Sequence, residues 1–174
     1  MKFVITYKGR YGATKQYAEW LAKELNIPVS PIENLDEEDL GKLDAVIIGT
    51  SVYIGKLEVG KWMRKNVHVL KRKKVFLFIV SGTPPDEREK LMEYVSQGVP
   101  KDLLENCHVS FLHGRMIYKN LGWRDKFLLK MGARLVRAKD PAEATRMITD
   151  FDDVKKENLT GLIELIKATE LLIS

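Results

Sequence analysis

Lys8-Gly9-Arg10-Tyr11-Gly12-Ala13-Thr14 is the stretch on which the fold turns. The apolar run Phe3-Val4-Ile5-Thr6-Tyr7 leads into it, and a helical pattern from Ala13 to Leu25 leaves it. Tyr17, Leu21, Ala22 and Leu25 share one stripe of that helix. A strand that is apolar on both faces belongs inside a parallel sheet. A buried strand, a glycine-bearing turn and a helix bring backbone N–H groups and the positive end of a helix dipole to one place. That arrangement is an anion site suited to phosphate. Thr14 stands near the helix start, where its hydroxyl can cap free N–H groups or meet a phosphate.

The alternation continues along the chain. Ile27 to Ile32 is a short extended run whose two prolines suit an edge strand. Glu33 to Leu43 is acidic and predicts a short helix or turn. Asp44-Ala45-Val46-Ile47-Ile48-Gly49 is a second buried strand, ending in the loop Thr50 to Lys56. A helix is expected over about 58–70, then a third strand, Val75 to Val80, closing on Ser81-Gly82-Thr83-Pro84-Pro85. Asp86 suits the cap of the next helix, which runs to about Gln97. Val109 to Gly114 reads as the last strand. A basic segment, Arg115 to Lys139, and a loop rich in Asp and Thr follow, and the final helix covers about Leu159 to Leu172. Five strand–helix alternations specify an α/β fold, a parallel sheet with helices on both faces. No repeat or linker divides the chain, so 1–174 is read as one domain.

Bulk properties narrow the functional classes. The 174 residues suffice for a full-sized core, and 45% are hydrophobic. No run approaches the ~20 apolar residues of a membrane span, and the N-terminus lacks the pattern of a secretory signal. These features suggest a cytoplasmic protein. The single cysteine, Cys107, excludes an intramolecular disulfide framework and fits a small core residue better than a reactive one. His68, His108 and His113 show no familiar ligand spacing, so no metal is expected. The formal net charge of +5 favours anionic contacts. Lys71-Arg72-Lys73-Lys74 lacks interleaved aromatics and reads as a solvated turn, and no nucleic-acid partner is expected.

In an open parallel sheet, ligands sit beyond the carboxyl ends of the strands, where strand order reverses. With the order 2-1-3-4-5, the loops Lys8–Thr14 and Thr50–Lys56 flank that point and Ser81–Pro85 lies beside them. Other phosphate motifs do not fit. Gly9 to Lys15 misses the Walker spacing, and Gly9-x-x-Gly12 is not the dinucleotide fingerprint. A phospho-accepting domain would carry aspartates at the strand ends, where Tyr7 and Gly49 stand.

On these residues the chain resembles the flavodoxin-like family. Gly12 and Thr14 match the final glycine and hydroxyl of that family's phosphate loop, while Gly9 and Tyr11 stand where hydroxyl residues usually are. Within the family the chain is similar to the menaquinone-dependent protoporphyrinogen IX dehydrogenases. Ile47 to Gly55 resembles that branch's I-G-x-S-I-x-x-G loop. Gly122-Trp123-Arg124-Asp125-Lys126-Phe127-Leu128-Leu129-Lys130-Met131 resembles its W-x-D-R-F-x-x-K-x-M pattern. Thr145-Arg146-x-x-Thr149-Asp150-Phe151 resembles its later T-R-x-x-x-x-x-T-D-W stretch, with shorter spacing.

The resemblance implies a three-layer flavodoxin-like sandwich carrying an inserted basic segment after the last strand. It implies FMN as cofactor, with Gly9, Arg10, Tyr11, Gly12, Ala13 and Thr14 around the phosphate. The flavin ring would lie among Thr50, Ser51, Val52, Tyr53, Ile54 and Gly55, with Ser81, Gly82 and Thr83 opposite, and Tyr53 as the stacking candidate. The implied activity passes electrons from protoporphyrinogen IX through FMN to menaquinone, in heme synthesis. A soluble electron carrier and a flavodoxin-fold module without flavin are the alternatives.

The segment 115–139 holds eight Lys or Arg residues and a single acid, Asp125. Trp123, Phe127, Met131 and Leu135 recur at i+4 and form an apolar stripe beside cations such as Lys130. Such a helix either lies in a membrane interface, as a quinone-linked enzyme at the inner face of the cell membrane would, or packs on the sheet or on a second subunit. The residues alone leave both open. Trp123, Phe127, Lys130 and Met131 are the candidates for the membrane or quinone side, and a homo-oligomer is the other possibility.

Overall fold

Two apolar faces on one strand require a layer on each side, and the sheet is built accordingly. The computed structural model describes residues 1–171. In chain order its elements are β1 (Phe3–Lys8), α1 (Ala13–Leu25), β2 (Val29–Pro31), α2 (Glu37–Gly41), β3 (Ala45–Tyr53), β4 (Lys56–Leu57), α3 (Gly60–Lys65), α4 (Val67–Leu70) and β5 (Lys74–Ser81). There follow α5 (Arg88–Gly98), α6 (Lys101–Leu104), β6 (Cys107–His113), β7 (Arg115–Met116), α7 (Trp123–Val136), α8 (Pro141–Arg146), β8 (Phe151–Asp152) and α9 (Thr160–Leu171). Leu172, the expected end of the final helix, lies outside the described residues.

The sheet order is β2-β1-β3-β5-β6, all parallel. Counting only these five strands, it is the expected 2-1-3-4-5. The fold is therefore a flavodoxin-like three-layer α/β sandwich. Alternate residues feed opposite layers. Ile5, Ile47, Phe76 and Phe78 pack under α1 and α9 against Tyr17, Leu21, Leu162 and Ile166. Val46, Ile48, Leu77 and Ile79 pack on the other side against Met63, Leu70, Val95 and Leu103.

Several boundaries differ from expectation, each for a local reason. The strand expected to stop at Gly49 runs on to Tyr53 and Lys56 begins β4, so all of the expected loop but Ile54 and Gly55 is strand. The β-favouring Val52 and Tyr53 pair antiparallel with β4, across a turn in which Ile54 (φ 48°) and Gly55 (φ 69°) are both left-handed. The helix expected over 58–70 is two helices, broken at Asn66, whose amide donates to the Trp62 carbonyl at 2.9 Å. Glu87 takes the cap position that Asp86 was expected to fill. The loop expected after Lys139 contains α8. Asp140 caps it by accepting from the Glu143 N–H at 2.8 Å, and Pro141 occupies its first turn.

The inserted basic segment is a structured cap. β7 and β8 pair antiparallel, Arg115 opposite Asp152 and Met116 opposite Phe151. This closes the cap into a loop that leaves β6 and returns to α9, with α7 and α8 packed on each other between the two strands. Among the described residues, no helix is long and apolar enough to cross a membrane.

Candidate functional site

The turn between β1 and α1 shows why these residues occupy it. Thr14 is buried, and its hydroxyl lies directly beneath Gly9. A Cβ on residue 9 would stand 2.4 Å from Thr14 Oγ1. The hydroxyl residue usual at that place would collide with one already there. Gly12 sits at φ 84°, a left-handed position, and precedes the helix as its N-cap. No side chain caps α1 there and its first turn holds no acid, so no side chain offsets the positive end of the helix.

Beyond the carboxyl ends of β1, β3 and β5 lies a cavity of about 460 Å³. Three of its walls are the loops that the sequence singles out. Tyr11, Ala13 and Thr14 line it from the first loop. Ser51, Val52, Tyr53, Ile54 and Gly55 line it from the second, and Ser81, Gly82 and Thr83 from the third. Four other candidates stand behind these walls. Gly9 and Gly12 shape the turn. Thr50 is fully buried, its hydroxyl donating to the Ser51 carbonyl and accepting weakly from the Val59 N–H at 3.4 Å. Arg10 is engaged with Glu58 at 3.1 Å and lies over the Tyr53 ring, 3.6 Å from its centre. Glu58 also accepts from the Ser51 hydroxyl at 2.5 Å, so Arg10, Glu58, Ser51 and Tyr53 form one polar chain under the rim.

The fourth wall belongs to the cap, and sequence reasoning missed it. Gly114, Arg115 and Met116 enter from β6 and β7, Leu121, Asp125, Leu128, Leu129 and Gly132 from α7 and the turn before it, and Glu143, Arg146, Met147 and Phe151 from α8 and β8. One signal was available: Asp125 is the lone acid among eight cations. Its carboxylate accepts from Tyr53 at 2.6 Å and from Tyr11 at 2.8 Å, joining the cap to both strand-end loops. These bonds, Tyr53's first, hold the Asp125 carboxyl below its ordinary value. Tyr11 is pushed well above the usual phenol range by burial and then by Asp125. Tyr53 is raised mainly by its bond to Asp125.

A second tie holds the other end of the cap. Arg146 reaches Glu87 at 2.8 Å and Glu143 at 2.6 Å, and Lys90 of α5 donates to Glu143 at 2.8 Å. The lining is mainly apolar on the cap side. Arg115 is tied to Asp152 at 3.4 Å and to Gln16.

Trp123, Phe127, Lys130 and Met131 are not part of this cavity. They project from α7 on its outer side, and Trp123 is 75% exposed. The reading in which the stripe packs on the sheet is not met, because α7 turns Asp125, Leu129 and Gly132 inward and leaves the stripe exposed. Cys107 is half-buried at the start of β6, and burial pushes its thiol up to about 12, which disfavours the nucleophilic thiolate at neutral pH.

A family model described as a flavodoxin domain matches residues 4–143. No match was found among curated proteins. Solved structures that are similar include a flavodoxin from the domain Archaea, at 17% identity and TM-score 0.43, over 65% of this chain and 85% of that one. The two-electron reduced flavodoxin of Megasphaera elsdenii matches at 18% identity and TM-score 0.47, over 63% and 84%. A flavoprotein of Lactobacillus acidophilus in complex with FMN matches at 14% identity and TM-score 0.45, over 64% and 91%.

Proposed function

Since the chain belongs to the flavodoxin-domain family, we propose that its cavity binds FMN and that it is an oxidoreductase of the protoporphyrinogen-oxidising kind, with a quinone as electron acceptor. The carrying observation is the uncapped, acid-free N-terminus of α1, opening beside a cavity walled by three strand-end loops. A phosphate would meet backbone N–H groups of the Gly12–Thr14 turn and the Thr14 hydroxyl. Arg10 covers one face of the Tyr53 ring, leaving the other for a flat ring system. Ser51, Gly55 and Gly82 would border its polar edge. FMN bound there supplies the electron transfer itself, so the protein's part is to bind, orient and exclude water.

The cap supports the finer reading. A carrier that exchanges electrons with protein partners needs its cofactor edge open, whereas here α7 and α8 roof the site. Leu121, Leu128, Leu129, Met147 and Phe151 add an apolar wall that a bare flavin does not require, and which suits the flat apolar ring of a quinone acceptor. The test is a titration of the purified protein with FMN, followed by protoporphyrinogen oxidation with a menaquinone analogue. Saturable quenching of flavin fluorescence and flavin-dependent porphyrin formation are the expected results. Flavin binding without porphyrin formation would favour the electron carrier, and no flavin binding would leave only a flavodoxin-fold module.

A further inference from the structure

We propose that the outer face of α7 is a docking surface for an anionic lipid bilayer. Trp123 (75%), Phe127 (58%), Met131 (49%) and Leu135 (78%) are exposed on successive turns of this helix. A large apolar side chain alone in water is ordinary, but four aligned on one helix form a patch that marks an interaction site. Lys126, Lys130, Arg134 and Arg137 follow one another at i+4, i+4 and i+3, so they make a basic row along one border of the patch. Among the described residues none of these four has an acidic partner; Lys126 donates to the Lys119 carbonyl at 2.8 Å, which leaves Lys130, Arg134 and Arg137 as the free cations of the row.

An apolar stripe with bordering unpaired cations is the chemistry of a helix lying in a headgroup layer: aromatics enter the acyl boundary and cations meet lipid phosphates. A second copy of the chain is a poorer occupant. A two-fold contact through this face brings each basic row toward its equal, with no acid on α7's outer side to offset it. The inner side of the same helix carries Asp125, Leu129 and Gly132 to the cavity. Docked in this way, α7 would be the wall between the bilayer and the site, bringing the site close to apolar molecules dissolved in the membrane.

Sedimentation of the intact protein with vesicles tests this, without FMN. Binding is expected to vesicles of equal parts phosphatidylglycerol and phosphatidylcholine, weakening with salt, and not to pure phosphatidylcholine. The pair Trp123→Ser with Phe127→Ser, and separately the triple Lys130→Gln, Arg134→Gln, Arg137→Gln, should each weaken binding about tenfold or more. Trp123→Phe should keep the binding but lose the blue shift of tryptophan emission. Failure of the wild-type protein to sediment with anionic vesicles would overturn the proposal, as would undiminished binding by both multiple variants. A wild-type dimer that the Ser pair makes monomeric, with no vesicle binding, would overturn it in favour of a second copy. The FMN titration stands apart, so loss of docking leaves the flavin reading untouched.

Discussion

Helices α1 and α7 are nearly the same length, 13 and 14 residues, and each carries an apolar stripe at i+4 spacing. Their fates are opposite. α1 buries Tyr17, Ala18 and Leu21 completely, in the layer shared with α9. α7 buries only Ala133, and its most conspicuous stripe faces outward. Periodicity shows that a helix has a face, not what covers it. α1 is held by packing. α7 also relies on polar ties, through Asp125 to the two tyrosines and, through its neighbour α8, the Arg146 network.

The sharpest way to break the comparison is to remove the central residue of the buried face. The Tyr17 hydroxyl donates to the His113 carbonyl at 2.8 Å and accepts from Asn158 Nδ2 at 2.7 Å, joining α1, β6 and the approach to α9. Tyr17→Ala should therefore cost about 3–5 kcal/mol in urea unfolding, the usual range for a buried aromatic. Tyr17→Phe keeps the packing and should cost only about 1–2 kcal/mol, for the unpaired groups left behind.

The next largest effect is expected at the turn. Gly9→Ala pushes a methyl into the Thr14 side chain, and overpacking of this kind costs about 1–3 kcal/mol. Gly9→Ser should behave in the same way and should not strengthen FMN binding, although it restores the family's hydroxyl pattern. Tighter binding in the Ser variant would show that Thr14 does not stand in for the missing group.

How much of this was legible is clear from the same two helices. The strands and the three loops at their ends are legible in apolar runs and turn residues, because each is encoded within about ten neighbouring positions; the order of the sheet, which joins strands tens of residues apart, came only with the flavodoxin-like resemblance. The cap was not legible, for two reasons. Its strands, β7 and β8, are two residues each and pair across more than thirty positions, so no local pattern announces them. Leu128, Leu129 and Gly132 form a second apolar face of α7, weaker in the sequence than the stripe Trp123, Phe127, Met131 and Leu135. Gly9 reads in the sequence as a lost hydroxyl, and its cause, contact with Thr14, is visible only in three dimensions.

The ties to α7 are tested by titration. Asp125 is held below its ordinary 3.8, so its contribution is present above that value and is lost as pH falls through the lower folded value. Tyr11 and Tyr53 are raised above 10.0, so theirs is present below pH 10 and is lost as pH rises through the higher folded values. The clamp should therefore hold between about pH 4 and pH 10 and loosen on either side. In Asp125→Ala, tyrosinate absorbance should develop at lower pH than in the wild type, as two phenols move back toward their ordinary value. An unchanged absorbance titration would mean that the carboxylate does not hold both hydroxyls in solution.

The smallest effect is expected on the exposed stripe, and it completes the comparison with Tyr17. Trp123→Ser removes the largest side chain of α7, yet at 75% exposure that ring has few protein neighbours to lose. Urea unfolding should move by less than about 0.5 kcal/mol, as for other surface substitutions. The same kind of change, an aromatic cut back at the head of an i+4 stripe, would then differ at least sixfold in cost between the two helices. A large loss at Trp123 would mean that this face is covered in solution by a second copy, because a bilayer is absent from such a measurement. Trp123 would then have a protein partner, and the dependence of its unfolding midpoint on protein concentration would reveal it.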